Sequence, residues 1–344
     1  MSISLQRTAP RIGLVIAYFQ RDRGLLHRAL SSVAAQEYSP VQVVVVDDGS
    51  PRAAVDEITP ELRNALPGLT VIRQANQGCP AARNVGLDAL TDDVSAIALL
   101  DSDDRWEASH LRNAAAALAS GADFFFSNAR NEGATTDILQ AHPLRKQLLN
   151  SEPVPGAPGI ARWTGGVPAL FVDGCVFHTS SPVFRRALVP DVRFPVSLRL
   201  THDQVTFWDL LVRSSVIMFC AEPTVVAAGG GIGIWRNSTY GTAAHLVRLA
   251  EEIVWRRYMI SYDPAHNPLS TADRRTVQRA IATRRRDALY SVLHLLRRRK
   301  NVFNELAYLF RYDPLCAAAW CAELPRLLYR KIAGTRDRRD ATSP

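Results

Sequence analysis

Three carboxylates within four residues, Asp101, Asp103 and Asp104, directly follow an apolar run from Val94 to Leu100. A second pair, Asp47 and Asp48, follows the apolar run Val41–Val46 and leads into Gly49, Ser50 and Pro51. Clustered carboxylates repel one another and lose hydration on burial, so each group calls for a cation. Mg²⁺ and Mn²⁺ suit such a place, because they take one or two carboxylates and complete their shells with water or phosphate oxygens. The other reading of 101–104 is a polar turn in which Asp104 caps the next helix. Between the clusters lies Asn76-Gln77-Gly78-Cys79-Pro80-Ala81-Ala82-Arg83-Asn84. Pro80 suits a first helical turn, and an Arg83 one turn further on is placed to meet a diphosphate. Equally, Asn76–Gly78 is only a turn and Arg83 a solvated charge. Asp203 opens a helix whose apolar positions are Val205, Trp208, Leu211 and Val212, where a carboxylate serves as a cap or as a partner of the helix dipole.

The surrounding pattern says what must hold these groups. Ile12–Ala17, Val41–Val46 and Val94–Leu100 are apolar without alternation, as in strands buried on both faces of a parallel sheet. Leu25, Leu26, Ala29, Leu30, Val33 and Ala34 mark one face of a helix, which completes a βαβ unit. Further helices are expected over 53–66 and 108–119, with strands over 70–73 and 124–127. Residues 131–161 read as a long irregular connection. Ligands of such sheets bind beyond the carboxyl ends of the strands, so both acidic clusters can face one crevice.

Composition fits a folded α/β protein: 344 residues, 47% hydrophobic and 22% charged. The net charge of +8 is uneven, since residues 271–344 carry 17 Lys and Arg against 7 Asp and Glu. Five cysteines without a C-x-x-C pair point to neither a zinc knuckle nor a disulfide framework. The start of the sequence lacks the apolar core of a signal peptide, and no run approaches the 18 apolar residues of a membrane span. From Thr242 onward the pattern is helical, over 243–258, 272–298, 302–310 and 315–332, punctuated by Arg284–Arg286 and Arg297–Lys300. Such helices either lie on an anionic membrane surface or turn their arginines to water; basic patches also bind nucleic acid, a partner not expected here.

Taken in order, V-V-V-D-D-G-S, N-Q-G-x-x-x-A-R-N-x-G and A-L-L-D-S-D-D-x-W resemble the family 2 glycosyltransferases of GT-A fold, most densely over residues 11–110 and more loosely to 240. Ala17 and Phe19-Gln20 depart from the family's usual opening. The Tyr18-Phe19-Gln20-Arg21 form is similar to bacterial exopolysaccharide glycosyltransferases of the succinoglycan type.

The resemblance implies a GT-A domain over 1–240, with a nucleotide-sugar half near 11–128 and an acceptor half near 160–240. A basic helical region over 241–333 and a disordered tail over 334–344 follow. It implies that Asp47, supported by Asp48, holds the base, that Arg83 lies near the donor nucleotide, that Asp101 meets the ribose, and that Asp103 binds Mn²⁺ or Mg²⁺. Asp203 matches the family's general base, with His202 where Glu is commoner. His178 stands on the acceptor side. Trp235 and Arg236, after the glycine-rich run from Gly229, are positioned for acceptor or diphosphate contacts.

The implied activity is metal-dependent, inverting transfer of one hexose, glucose, from a UDP-sugar to a hydroxyl of a lipid-linked oligosaccharide in exopolysaccharide biosynthesis. The implied location is cytoplasmic, peripheral on the inner face of a bacterial cytoplasmic membrane. Two other readings are a nucleotidyltransferase and a non-catalytic membrane-surface protein with a degenerate transferase domain. Tyr18–Gly24 poorly matches the basic glycine loop of the first, and intact Asp47, Asp101, Asp103 and Asp203 argue against the second.

Overall fold

A computed structural model describes residues 9–172, 174–227, 238–263 and 265–325. The chain divides into two compact units, 1–233 and 234–344.

The first unit opens with β1 (Ile12–Tyr18), α1 (Leu25–Ala34), β2 (Gln42–Asp47), α2 (Pro60–Ala65), β3 (Leu69–Arg73), α3 (Cys79–Asp88) and β4 (Ala96–Leu99). It continues with β5 (Arg105–Trp106), α4 (His110–Ala119), β6 (Phe124–Asn131), α5 (Arg145–Leu149), β7 (Glu152–Pro153), β8 (Ile160–Arg162), β9 (Val183–Arg185), α6 (His202–Val212) and β10 (Ile217–Ala227). The strands form one ten-stranded sheet in the order β3-β2-β1-β4-β9-β6-β10-β8-β7, with β5 paired to β10. β3, β2, β1 and β4 are mutually parallel, β6 and β10 are parallel, and β9 runs antiparallel between β4 and β6.

The apolar runs predict these central strands because both faces are covered: Val43 to Val46 and Ala96 to Leu99 are wholly buried. α1 buries Leu26, Ala29, Leu30 and Val33, the stripe expected from its spacing. Beyond β4 the core becomes aromatic. Phe177 packs on Phe124 (5.6 Å between centroids), Phe126 (5.0 Å) and Phe207 (5.5 Å). That cluster fixes the segment before β9 against α6.

Three local expectations are corrected. Residues 53–66 are not one helix: a 3-10 turn, Ala54–Glu57, precedes α2, and Thr59 caps α2 through its side chain. Pro60 has no N–H for a helical bond and forces the residue before it out of the helical region. Residues 131–161 are not irregular throughout, since they contain α5 and the β7–β8 pair. Strands of two or three residues are too short to show a period. Asp104 does not cap a helix, because α4 begins six residues later behind Ser109.

In the second unit α7 (Ala243–Ser261), α8 (Thr271–Arg297) and α9 (Phe303–Tyr312) bury Leu246, Leu249, Ile253, Val277, Ile281, Leu289, Val292, Leu295 and Leu309. Residues 315–325 are helical. Asp313, fully buried, receives Arg257 at 3.1 Å and both Nε and Nη2 of Arg285 at 2.6 and 2.7 Å. Arg284 pairs with Glu252. Two of the three arginines in Arg284–Arg286 are therefore internal fastenings. Among the described residues no helix is long and apolar enough to cross a membrane.

Candidate active site

β1 lies between β2 and β4, so the chain's crossovers leave it in opposite directions and open a crevice at the carboxyl ends of these strands. The two acidic loops stand there side by side. Gln20, just past β1, joins them: its N–H donates to Ser50 Oγ at 2.7 Å, its carbonyl accepts from that hydroxyl at 2.8 Å, and its Nε2 donates to Ser102 Oγ at 3.2 Å. Gln20, one of the departures from the family's opening, thus ties the rim together.

Asp47 and Asp48 are buried and shape this rim. Asp47 accepts from the N–H groups of Ser50 at 2.8 Å and Ala54 at 2.9 Å, with Arg73 at 3.5 Å. Asp48 accepts from the N–H groups of Gln77 and Gly78, both at 2.8 Å, and from Gln74 Nε2 at 2.7 Å. It thereby fixes the turn that enters α3. Gly49 is required just after them: its φ is +67°, and a Cβ there would come within 2.9 Å of the Asn76 nitrogen.

Arg83 is not a solvated charge. It is 4% exposed, and its Nη2 donates to Asp101 Oδ1 at 2.5 Å. Its Nη1 lies 3.3 Å from His202 Nδ1, and its guanidinium lies 5.2 Å from the centre of the Phe194 ring. Burial alone would lower its pKa, but its acidic neighbours, Asp101 and Asp203 among them, outweigh that and keep it charged. His202 is held neutral, its pKa pushed well below the ordinary value by burial and by Arg83, so it accepts from the guanidinium. Cys79, at the start of α3, stays a thiol with its pKa raised to about 11, chiefly by burial.

Asp203, in the first turn of α6, is 8% exposed. Thr179 Oγ1 donates to its Oδ2 at 2.7 Å, and the Gln204 N–H donates to its Oδ1 at 2.8 Å. Burial raises its pKa, opposed by Arg83 and by these two hydrogen bonds. The neighbouring Ser180 serves the other acidic group. Its Oγ accepts from the Asp101 N–H at 3.0 Å and donates to Asp104 Oδ2 at 2.5 Å, and its carbonyl accepts from Trp106 Nε1 at 2.7 Å. His178 Nδ1 also lies 3.3 Å from Asp104 Oδ2. His178 is therefore beside the acidic turn. Trp235 and Arg236 lie outside the described residues.

The sequence reading missed Thr179, Ser180 and Phe194. The only signal for the first two is the hydroxyl run Thr179-Ser180-Ser181 before Pro182; Phe194 carries none.

Among the described residues, no three His, Cys, Asp or Glu side chains are grouped to hold a metal by themselves. One carboxylate nevertheless asks for a cation. Asp101 is matched by Arg83, whereas Asp103 has its pKa raised to about 7 by burial and by the charges of Asp101 and Asp104. That suits an ion held by one carboxylate and completed by phosphate oxygens of a ligand.

The glycosyl transferase family 2 profile matches residues 14–177. The chain is 32% identical over 232 residues to the succinoglycan biosynthesis protein ExoW of Rhizobium meliloti, covering 66% of this chain and 71% of that one. The chain belongs to glycosyl transferase family 2. This family 2 glycosyltransferase is similar in fold to solved structures at low identity. The first is S. aureus TarS 1-349 in complex with UDP-GlcNAc (TM-score 0.54, 16% identity, 81% of each chain covered). The second is the mannosyltransferase PcManGT from Pyrobaculum calidifontis with GDP-Man and Mn²⁺ (TM-score 0.53, 17% identity, 98% of this chain and 85% of that one). The mixed sheet with flanking helices and a helical C-terminal region is the GT-A architecture expected from the order of the motifs.

Proposed function

We propose that this glycosyltransferase moves one hexose, glucose, from a UDP-sugar to a hydroxyl of a lipid-linked oligosaccharide in exopolysaccharide biosynthesis, with inversion at the anomeric carbon. The observation that carries the reading is Arg83, whose buried guanidinium meets Asp101 on the nucleotide rim and His202 beside Asp203. One residue thus couples the donor half of the crevice to a carboxylate fit to act on an acceptor.

In this reading the loop of Asp47 and Asp48 receives the base, Asp101 meets the ribose, and Arg83 lies by the nucleotide. Asp103 holds Mn²⁺ or Mg²⁺, which when bound stabilises charge on the departing diphosphate as a Lewis acid. The acceptor oxygen bonds to the anomeric carbon as the bond from that carbon to the UDP oxygen breaks. The acceptor's proton passes to Asp203 Oδ2 or Oδ1. Asp203 suits this role: burial raises its basicity, and the Thr179 and Gln204 donors fix its orientation. His178, beside the acidic turn, and His202, beside Asp203, face the acceptor and diphosphate in this reading. A lipid-linked acceptor would be met at an anionic membrane surface by an enzyme peripheral to the inner face of the cytoplasmic membrane. The similarity to ExoW supports the choice of exopolysaccharide.

The test is UDP binding and UDP-sugar hydrolysis by the purified chain with Mn²⁺ or Mg²⁺, then with EDTA. Metal-dependent UDP binding with slow turnover of one UDP-hexose is expected. Absence of nucleotide binding with either metal would overturn the donor-site assignment.

A further inference from the structure

The geometry points to the turn between α8 and α9 as a surface that docks on an anionic lipid bilayer, with Arg297, Arg298, Arg299 and Lys300 at the headgroups and Leu296 and Phe303 in the interface. This deepens the membrane-surface part of the proposed function and rests on it.

The four cations differ from the arginines of this unit that hold it together. Arg257, Arg284 and Arg285 are spent on Asp313 and Glu252. Arg297, Arg298, Arg299 and Lys300 are all exposed, and none makes an ion pair among the described residues. They stand at the carboxyl end of a 27-residue helix, where cations are favoured. That alone explains one or two positive charges, not four, and not their apolar flanks. Phe303 is 74% exposed and Leu296 53%, at the two ends of the turn, while Val302 between them is buried and anchors it. Two large exposed apolar side chains flanking four cations suit a loop at headgroup level.

The backbone gives an independent sign. α8 closes with the Lys300 N–H donating to the Leu295 carbonyl at 3.0 Å and the Arg299 N–H to the Leu296 carbonyl at 2.9 Å. This is a Schellman closure, and it puts Arg299 at the left-handed position, φ +54°, where glycine is usual. Among the described residues it is the one non-glycine residue with positive φ. The chain keeps a charged side chain where its absence would relieve strain.

Charge chooses the occupant. Residues 326–344 carry six Lys and Arg against two Asp, so this tail has the wrong sign to cover the turn. An anionic leaflet has the right sign and accepts apolar side chains as well.

The test is co-sedimentation of the full chain with vesicles of phosphatidylcholine alone or with about one-third phosphatidylglycerol. Binding is expected only with the anionic lipid. Arg299→Gly should bind those vesicles about fivefold more weakly while unfolding at no lower temperature than the parent, because glycine fits the backbone better. Phe303→Ser should weaken binding about tenfold. Equal binding to both vesicles, or parental affinity in either variant, overturns the proposal. So does loss of single-stranded RNA binding in Arg299→Gly with vesicle binding unchanged, or a dimer that Phe303→Ser dissolves. UDP-sugar hydrolysis by the same preparations separates the two readings: vesicle binding without turnover sinks the transferase assignments alone, and turnover without vesicle binding sinks the docking surface alone.

Discussion

Thr179 Oγ1 donates to Asp203 Oδ2 across 24 residues of chain, and it does so because Phe177, two residues before it, packs on Phe207, one helical turn after Asp203. The aromatic core beneath the crevice sets the position of the carboxylate above it. Asp203→Asn keeps the shape and removes the proton acceptor of the proposed mechanism. Transfer should fall by about 10²–10⁴-fold with UDP affinity, read by calorimetry, nearly unchanged. Equal loss of both would make Asp203 a structural residue.

Thr179→Val removes one donor to that carboxylate and leaves the other. The hydrogen bond favours the charged form, so its loss raises the Asp203 pKa further. A base must be deprotonated to work, so the acid limb of the kcat profile should move to higher pH, and kcat should fall at neutral pH. A fall in kcat with an unmoved acid limb would reduce Thr179 to packing.

Arg83→Ala strands Asp101 and leaves His202 without its donor. Removing one partner of a buried pair is strongly destabilising, but Asp101 is about a third exposed and water recovers part of the loss. A destabilisation of about 2 kcal/mol in urea unfolding is expected. Arg83→Lys retains the charge but not the fork that reaches both partners, so it should fold better than Arg83→Ala and still bind UDP poorly. Parental UDP affinity in Arg83→Lys would remove Arg83 from the donor site.

Buried histidines contribute to the acid stability. His110 has its pKa lowered from 6.5 to about 3 by burial, and His202 is lowered by burial and Arg83. Both are neutral in the folded chain and protonate in the unfolded chain below pH 6.5, so acid favours unfolding. Stability should fall as pH drops from 6.5 toward 3, by about 1.4 kcal/mol per pH unit for each fully shifted histidine. His110→Gln should flatten this slope in urea titrations between pH 7 and 5; an unchanged slope would mean that His110 is solvated.

The proposed metal dependence would rest on Asp103. Mn²⁺ with UDP should raise the melting temperature of the parent, and EDTA should reverse it. Asp103→Asn should abolish the metal's share of the shift while leaving the melting temperature of the free chain unchanged or higher, because it removes a crowded charge. An unaltered metal response would move the ion elsewhere.

The sequence by itself determined the central strands β1, β2 and β4, because unbroken valine, alanine and leucine runs are stable only between two covered faces. It also determined that Asp47, Asp48 and Asp101–Asp104 stand at strand ends, since each cluster abuts its run, and that both lie on one rim, since parallel strands share their polarity. Gly49 was legible as part of its motif, and the structure supplied the reason in its φ and its approach to Asn76. Only the tertiary structure decided between the readings that the sequence left open. Arg83 is buried against Asp101 and His202, the latter 119 residues away, and Asp104 belongs to Ser180 and His178 rather than to a helix end. It also placed β9 antiparallel between β4 and β6, which brings Thr179 and Ser180 to the crevice. The reason is one of range: side-chain periodicity is a property of neighbours along the chain, whereas a hydrogen bond's partner depends on where a distant segment returns, and that is set by packing of the whole core.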